Sequence, residues 1–125
     1  MPVSAEVDHE RRFVHVVLEG RVALTEITDK LDELLRHDVM PYAKLFDARE
    51  AELAFSDADV MALAARTRAY EVLGPRGPVA LVARGDKTVN VLWRFMNLSA
   101  GERPLSLFDK VRDAMDWLEW HALTA

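Results

Sequence analysis

Three charged side chains are candidates for a polar binding site. Asp47 ends the strand-like segment 43–47, Arg49 lies in the charged loop 47–50 predicted after it, and Arg84 follows the apolar segment 79–83. The carboxyl ends of parallel strands meet at one edge of an open α/β sheet, where such sheets bind ligands. The pattern therefore allows a crevice in which the arginines bind a small anion. In the alternative interpretation, which we prefer, Asp47 and Arg49 pair with each other or satisfy loop backbone groups.

Ser56 is a candidate for modification or ligand binding at the start of the predicted second helix. The run Ser56-Asp57-Ala58-Asp59 resembles a capping box in which Asp replaces the usual Glu or Gln. The helix N-terminus would favour a phosphate on Ser56, although Asp57 and Asp59 would repel it. We therefore prefer an N-cap role for Ser56.

Other patterns that carry chemistry are absent from the sequence. There is no cysteine, so neither a thiolate nucleophile nor a Cys-ligated zinc is possible. The histidines at positions 9, 15, 37 and 121 lack the spacing of a zinc site. The run Gly85-Asp86-Lys87-Thr88 lacks the upstream glycine of a phosphate loop, and no serine stands in a G-x-S-x-G turn. We predict no catalytic residue, metal or cofactor, and therefore no enzyme.

Composition points to one domain that covers residues 1–125. Half of the 125 residues are apolar, which suffices for a single core. The net charge of −5 argues against binding to nucleic acid. No segment approaches the roughly 18 apolar residues of a membrane span, and the N-terminus does not resemble a leader. We therefore expect a cytoplasmic protein without a transmembrane segment.

The periodicity of apolar residues predicts the elements that position these side chains. Alternation over 3–8 and 12–18 indicates an antiparallel hairpin, and the later segments alternate between helix and strand. The order ββαβαβαβα predicts an α/β fold with a mixed, mostly parallel five-stranded sheet, an N-terminal antiparallel hairpin and four helices. The predicted helices cover 24–35 with Thr25 as its cap, the segment from Ser56 to Gly74, 86–98, and 109–121; the later strands are 43–47, 79–83 and 105–108.

This order, with three local patterns, resembles the STAS domain (sulfate transporter and anti-sigma-factor antagonist), especially its bacterial SpoIIAA-like branch. The patterns are Lys44-Leu45-Phe46-Asp47, Val79-Ala80-Leu81-Val82, and Leu107-Phe108 followed by Ala114, Trp117 and Leu118. The resemblance implies a non-enzymatic regulatory or binding module that acts through protein contacts or a small bound ligand.

The resemblance also bears on Ser56 and on an alternative function. In anti-sigma-factor antagonists, a partner kinase phosphorylates a serine in an Asp-Ser-Ser-Gly-like turn at the place of Ser56. Here no Asp precedes Ser56 and no Gly follows it, which puts the switch in doubt.

SpoIIAA-like domains also resemble Sec14-type lipid-transfer domains in architecture. The alternative function is therefore a carrier or sensor of a lipid or other apolar small molecule, which needs a cavity between helices and sheet. An enzyme, with Asp47, Arg49 or Arg84 converging on one pocket, ranks third.

The third helix carries two apolar stripes. The first stripe, expected to cover the sheet, consists of Val89, Leu92, Trp93 and Met96, and the second consists of Val91, Phe95 and Leu98. We predict that the second stripe, with Trp120 of the fourth helix, forms a homodimer or apolar-ligand surface. Burial of that stripe under the fourth helix or a loop is the open alternative. In the fourth helix, Trp117 is expected to flank the core and Trp120 to point away from it.

Overall fold

A computed structural model describes residues 2–99 and 103–124 of the chain. The described residues form an α/β fold of five strands and four α-helices, with a short 3₁₀ helix after the second α-helix. In chain order the elements are β1 (Val3–Asp8), β2 (Phe13–Arg21), α1 (Leu24–Leu35), β3 (Ala43–Glu52), α2 (Asp57–Ala69), the 3₁₀ helix (Tyr70–Leu73), β4 (Val79–Ala83), α3 (Asp86–Leu98), β5 (Leu105–Phe108) and α4 (Val111–Thr124).

The strands lie in the sheet in the order of the sequence, β1-β2-β3-β4-β5. β1 pairs antiparallel with β2, and the other three pairings are parallel. Right-handed connections between strands in sequential order place every connecting helix on the same face of a sheet. Accordingly α1, α2 and α3 share one face, here called face A, and α4 covers the opposite face, face B. The predicted fold class and element order are confirmed.

Each face has its own apolar core. On face A the alternate residues Val14, Val16 and Leu18 of β2 are at most 5% exposed. On face B a smaller core joins Leu45, Ala80 and Val82 of the sheet to Ala114 and Leu118 of α4. All five residues of β4 are buried, because this strand is covered on both faces.

Strand β3 is longer than predicted and changes the setting of the charged residues. Past a register shift between Val17 and Glu19, β2 continues to pair with β3 as far as Arg21 opposite Glu52. Asp47 and Arg49 therefore lie inside a strand, and the prediction of a loop there is wrong.

The cap predicted for the first helix also needs correction. The N-cap of α1 is Ala23, whose backbone N–H donates to the Glu26 carboxylate at 2.9 Å. Thr25 lies inside the helix as its second residue, so the prediction that it caps α1 is wrong.

The two stripes of α3 are assigned differently from the prediction. The stripe that faces the core is Thr88, Val91, Leu92 and Phe95, whereas Trp93 is 50% exposed. Val91 and Phe95 are 4% and 7% exposed, so they do not form an outer surface with Leu98. Thr88 belongs to the stripe that faces the core, and its hydroxyl donates to the Ala51 carbonyl of β3, 3.1 Å away. A hydrophobic pattern does not count a threonine as a core residue.

Gly77 allows two loops at one edge of the sheet to approach closely. Its N–H donates to the Met40 carbonyl at 2.8 Å. A Cβ at this position would lie 2.4 Å from the carbonyl oxygens of both Pro41 and Tyr42. The contact holds the segment before β4, which includes Arg76, against the segment before β3.

We expect Gly77→Ala to lower the free energy of unfolding by about 3 kcal/mol, because the new methyl group meets backbone atoms that cannot move independently. Gly20→Ala is the matched control. Gly20 has a φ of +69° with nothing within 4 Å of its Cβ position, so only backbone strain of about 1 kcal/mol is expected there. Urea unfolding of both variants measures the difference, and equal losses would contradict the close approach.

Candidate functional site: a cavity on face A

A cavity of about 80 Å³ lies on face A between the helices and the sheet. Its lining is apolar except for Lys30, Thr67 and Arg103. The apolar lining residues are Val3, Val16, Leu18, Ile27, Leu31, Phe46, Ala48, Leu53, Phe55, Val60, Leu63, Val79, Leu81, Val91, Leu92 and Phe95. Val91 and Phe95 thus line an interior space, and a role for them in binding an apolar ligand stays a prediction.

The cavity explains why Phe46 in the middle of β3 is not fully buried. Its strand neighbour Leu45 is 1% exposed on face B, whereas Phe46 keeps accessible surface on face A. Leu31 of α1 and Thr67 of α2 line the space beside Phe46. Lys30 and Arg103 are partly exposed, and they mark where the cavity approaches the protein surface.

A second cavity of about 50 Å³ adjoins the first. Phe46, Leu31, Thr67, Val79 and Arg103 line both cavities, so the two form neighbouring parts of one space. The second cavity adds polar residues at its other end, namely Lys44, Tyr70 and Arg76.

The charged groups that line the two cavities are all basic among the described residues. They are Lys30, Lys44, Arg76 and Arg103, in a chain whose formal net charge is −5. The mostly buried side chain of Lys30 pairs with the half-exposed Glu33 of α1 at 2.9 Å. A guanidinium nitrogen of Arg76 donates to the Thr67 carbonyl at 2.7 Å.

Lys44 is a buried lysine whose side chain is held by main-chain oxygens. Its Nζ donates to the carbonyls of Val39, Met40 and Tyr42 at 2.7, 3.0 and 3.0 Å. The pKa of Lys44 is lowered to about 7, mainly by burial and to a smaller extent by the positive charges of Arg103 and Arg76. The three acceptors match the three N–H donors of an ammonium group.

A polar bridge joins α1 to α2 beside the second cavity. The Asp32 carboxylate of α1 accepts hydrogen bonds from Arg66 of α2 and from the Tyr70 hydroxyl, the latter at 3.1 Å. The hydrogen bond from Arg66 is the main cause that lowers the pKa of Asp32. Because Tyr70 also lines the second cavity, this bridge forms part of its boundary.

The polar residues singled out from the sequence do not line this cavity. Asp47 and Arg49 pair in a bidentate arrangement at 2.9 and 2.8 Å, on the side of β3 that faces α4. The Arg49 hydrogen bonds hold the pKa of Asp47 below its ordinary value. Arg84 is exposed just beyond β4. The pairing agrees with the preferred interpretation, while a ligand role for these three residues stays a prediction.

Ser56 caps α2 through a complete capping box. The Asp59 N–H donates to the Ser56 hydroxyl at 3.1 Å, and the Ser56 N–H donates to the Asp59 carboxylate at 3.1 Å. The predicted cap with Asp in place of Glu or Gln is confirmed.

Several large apolar side chains lie exposed on the outer side of α2, α3 and α4. We use the term α2–α3 surface for the exposed outer sides of α2 and α3, which carry Met61 on α2 and Trp93 and Leu98 on α3, at 61%, 50% and 40% exposure. Two polar links join these helices beside it, one from Arg94 to Asp57 and one from Arg68 to the Leu98 carbonyl. Trp120 of α4 is 60% exposed, and Trp117 packs against Phe108 of β5.

Comparison with known proteins bears on the fold. No family model matches this sequence, and no curated protein matches it. Among solved structures, the chain is similar to an anti-sigma factor antagonist from Mycobacterium paratuberculosis, with a TM-score of 0.60, 20% identity and 94% of each chain covered. The chain has a SpoIIAA-like fold.

A second structure supports the same SpoIIAA-like fold. It is a DUF3478-family protein with a SpoIIAA-like fold from Shewanella loihica PV-4, with a TM-score of 0.54 and 19% identity. The match covers 93% of this chain and 91% of that chain. Along residues 2–99 and 103–124, no helix is long and apolar enough to cross a membrane. Among the same residues, no cluster of His, Cys, Asp or Glu could hold a metal ion.

Sequence reasoning missed the basic end of the cavity. In the sequence, Lys44 belongs only to a strand motif, although a lysine that starts the apolar run Leu45-Phe46 indicates a buried charge. Arg76 and Arg103 gave no such signal, because they lie far from Lys44 in the sequence.

The lowered pKa of Lys44 predicts a dependence of stability on pH. Between about 7 and 10.5 the unfolded chain binds the Lys44 proton more strongly than the folded chain. The stability contributed by this residue should therefore rise with pH in that window, by no more than about 1.4 kcal/mol per pH unit.

Urea unfolding of wild type and Lys44→Met across this pH range tests the prediction. The free energy of unfolding of the wild type minus that of Lys44→Met should become more positive as the pH rises. Lys110→Met, at an exposed lysine before α4, should show a constant difference. A constant difference for Lys44→Met would contradict the lowered pKa.

Proposed function

We propose that the chain is a non-enzymatic binding module of regulatory type that holds a small molecule with an apolar part in the face A cavity. The observation that carries this proposal is the apolar cavity itself, which extends from the sheet to the basic residues at its edge. The Sec14-like alternative required such a space between helices and sheet. The proposal therefore combines a binding module with a carrier or sensor of an apolar ligand.

The energetic cost of the cavity supports a functional role. Protein interiors are normally close-packed, and voids larger than a water molecule are few. At about 24 cal/mol per Å³, the 80 Å³ cavity costs on the order of 2 kcal/mol relative to a filled core. Ala48, 2% exposed and on the cavity wall, is a position where a larger side chain would reduce this cost.

The third-ranked alternative, an enzyme, finds less support in the positions of the polar residues. It required Asp47, Arg49 or Arg84 to converge on one pocket. Asp47 and Arg49 instead pair with each other on face B, opposite the cavity. The Ser56 hydroxyl is engaged in the cap of α2.

We expect Ala48→Val to raise the free energy of unfolding by about 1 kcal/mol, because two methyl groups fill part of the cavity. Native mass spectrometry after gentle purification should find a small molecule on the wild type and not on Ala48→Val. Ala43→Val is the matched control, since it makes the same change in the same strand on the side that faces α4. It should retain the bound mass. An empty wild-type protein that also fails to bind any added apolar compound would contradict the proposal.

A second candidate function is contact with a protein through the α2–α3 surface. Large exposed apolar side chains are typical of interaction sites, and tryptophan is enriched among interface anchors. One of the similar structures is named an anti-sigma factor antagonist, a name that refers to action on another protein. For this chain, the simplest such partner is a second copy of itself.

Two exposed tryptophans allow a matched test of the homodimer. We expect the wild type to sediment as a dimer at high concentration and Trp93→Asp as a monomer, because a charge would have to be buried at the contact. Trp120→Asp makes the same change at a tryptophan of α4 that is 60% exposed and should leave the dimer intact. The opposite result for the two variants would move the contact to α4. A monomeric wild type would remove the homodimer.

A further inference from the structure

We infer that the outer edge of β5 is a docking site for an extended segment of a partner protein, which adds to the sheet as a further strand. Main-chain hydrogen bonds hold the segment, and its side chains contact apolar groups on both faces of β5. No residue of β5 lines the face A cavity, so the inference goes beyond the proposed function.

The first step is the direction of the main-chain groups of β5. The Val79 N–H donates to the Pro104 carbonyl at 2.9 Å, so Pro104 directs its carbonyl toward β4. Successive residues of a strand direct their main-chain groups to opposite sides. Leu105 and Leu107 therefore direct their N–H and C=O groups away from β4. In the part of the chain that the structure describes, β5 pairs with β4 alone, so another strand has access to these groups.

The second step is the contrast between the two edges of the sheet. Exposed edges pair readily with other chains, and proteins commonly protect them with charged side chains. The β1 edge carries Glu6 and Asp8. The β5 edge, Leu105–Phe108, consists of three apolar residues and a serine, and each of the four keeps accessible surface. The β5 edge therefore lacks the charges that protect β1.

The third step is a row of aromatic side chains that begins at this edge on face B. Phe108 of β5 packs against Trp117 of α4, with ring centroids 5.7 Å apart. The His121 ring lies 4.3 Å from that of Trp117 and 4.9 Å from that of Trp120. Because Trp120 is 60% exposed, the row extends from β5 to the surface of α4. Large rings at a surface are typical anchors for the apolar side chains of a partner.

These features together specify the chemistry of the segment. β5 offers two residues with outward main-chain groups, so hydrogen bonds alone would give weak binding, and side-chain contacts must contribute. Leu105 and Leu107 pack on the face A core, whereas Phe108 packs on the face B core. Side chains of an added strand alternate between the same two faces. The segment should therefore be uncharged, with apolar residues opposite the two leucines and a large apolar or aromatic residue opposite Phe108. Addition of such a strand to a sheet edge is a common mode of peptide recognition.

A phage-displayed library of random dodecapeptides, selected on the full chain, supplies the probe. We expect the selected peptides to share a short uncharged run of alternating apolar residues that includes an aromatic residue. Strand addition requires this pattern because the edge presents apolar groups on both faces. Failure to select any peptide with such a run would overturn the inference.

A scan of single N-methyl groups along a selected peptide tests the main-chain bonds on the wild-type protein. Only alternate N–H groups of an added strand face β5. Isothermal titration calorimetry should show binding about 10-fold weaker where methylation blocks such a group. Methylation of the groups between them should have little effect. Equal losses at successive positions would overturn strand addition.

Two variants at Leu107 test the same bonds from the side of the protein. Leu107→Pro removes an outward N–H, and proline is tolerated in an edge strand where the N–H faces solvent. Leu107→Ala is the matched control, because it shortens the side chain and keeps the N–H. We expect the peptide to bind Leu107→Pro about 10-fold more weakly than Leu107→Ala. Equal affinities in the two folded variants would overturn the inference, and the N-methyl scan decides should Leu107→Pro fail to fold.

Sedimentation of the same variants separates a partner segment from a second copy of the chain. We expect neither Leu107→Pro nor Leu107→Ala to change the oligomeric state of the protein, because the occupant belongs to another protein. A wild-type dimer that Leu107→Pro dissociates and Leu107→Ala does not would assign the β5 edge to a second copy. That result would overturn the inference of a partner segment.

Discussion

The arrangement of helices follows from one topological constraint. Parallel strands that lie in sequential order, joined by right-handed connections, must place all their connecting helices on one face of the sheet. Three helices therefore pack on face A, whereas α4 alone packs on face B. The two faces differ accordingly in packing. Face B brings Ala80, Val82 and Ala114 together with no exposed surface, whereas face A retains a cavity.

The position of the cavity follows from how the three helices pair. α2 and α3 are joined by the links from Arg94 to Asp57 and from Arg68 to the Leu98 carbonyl. α1 packs over β1, and Asp32 joins it to α2 through Arg66 and Tyr70. The space is left between α1 and the α2–α3 pair, above Phe46 of β3. Its basic end lies at the amino ends of β3 and β4, where main-chain oxygens before β3 hold Lys44 and the Thr67 carbonyl of α2 holds Arg76.

Local patterns predicted the fold well, because hairpin, helices and strands each have a period that short segments of sequence reveal. They predicted less where the outcome depends on pairing between distant segments. β3 continues to Glu52 only because β2 continues past its bulge to Arg21. On α3 the two stripes are similarly apolar, and the hydrogen bond of Thr88 to Ala51 marks the one that faces the core. The basic end of the cavity joins residues 44, 76 and 103, which no local motif relates.

The two candidate functions share α2. Leu63 and Thr67 of this helix line the cavity, while Met61 and Asp57 lie on the side that meets α3. A bound ligand that displaced α2 from the sheet would also shift Met61 relative to α3. It would strain the ion pair between Arg66 and Asp32 as well. Protein interiors transmit such shifts because they are close-packed. Ligand binding on face A and protein contact at the α2–α3 surface would therefore be coupled through one helix, which is the arrangement that a ligand-controlled regulatory module requires.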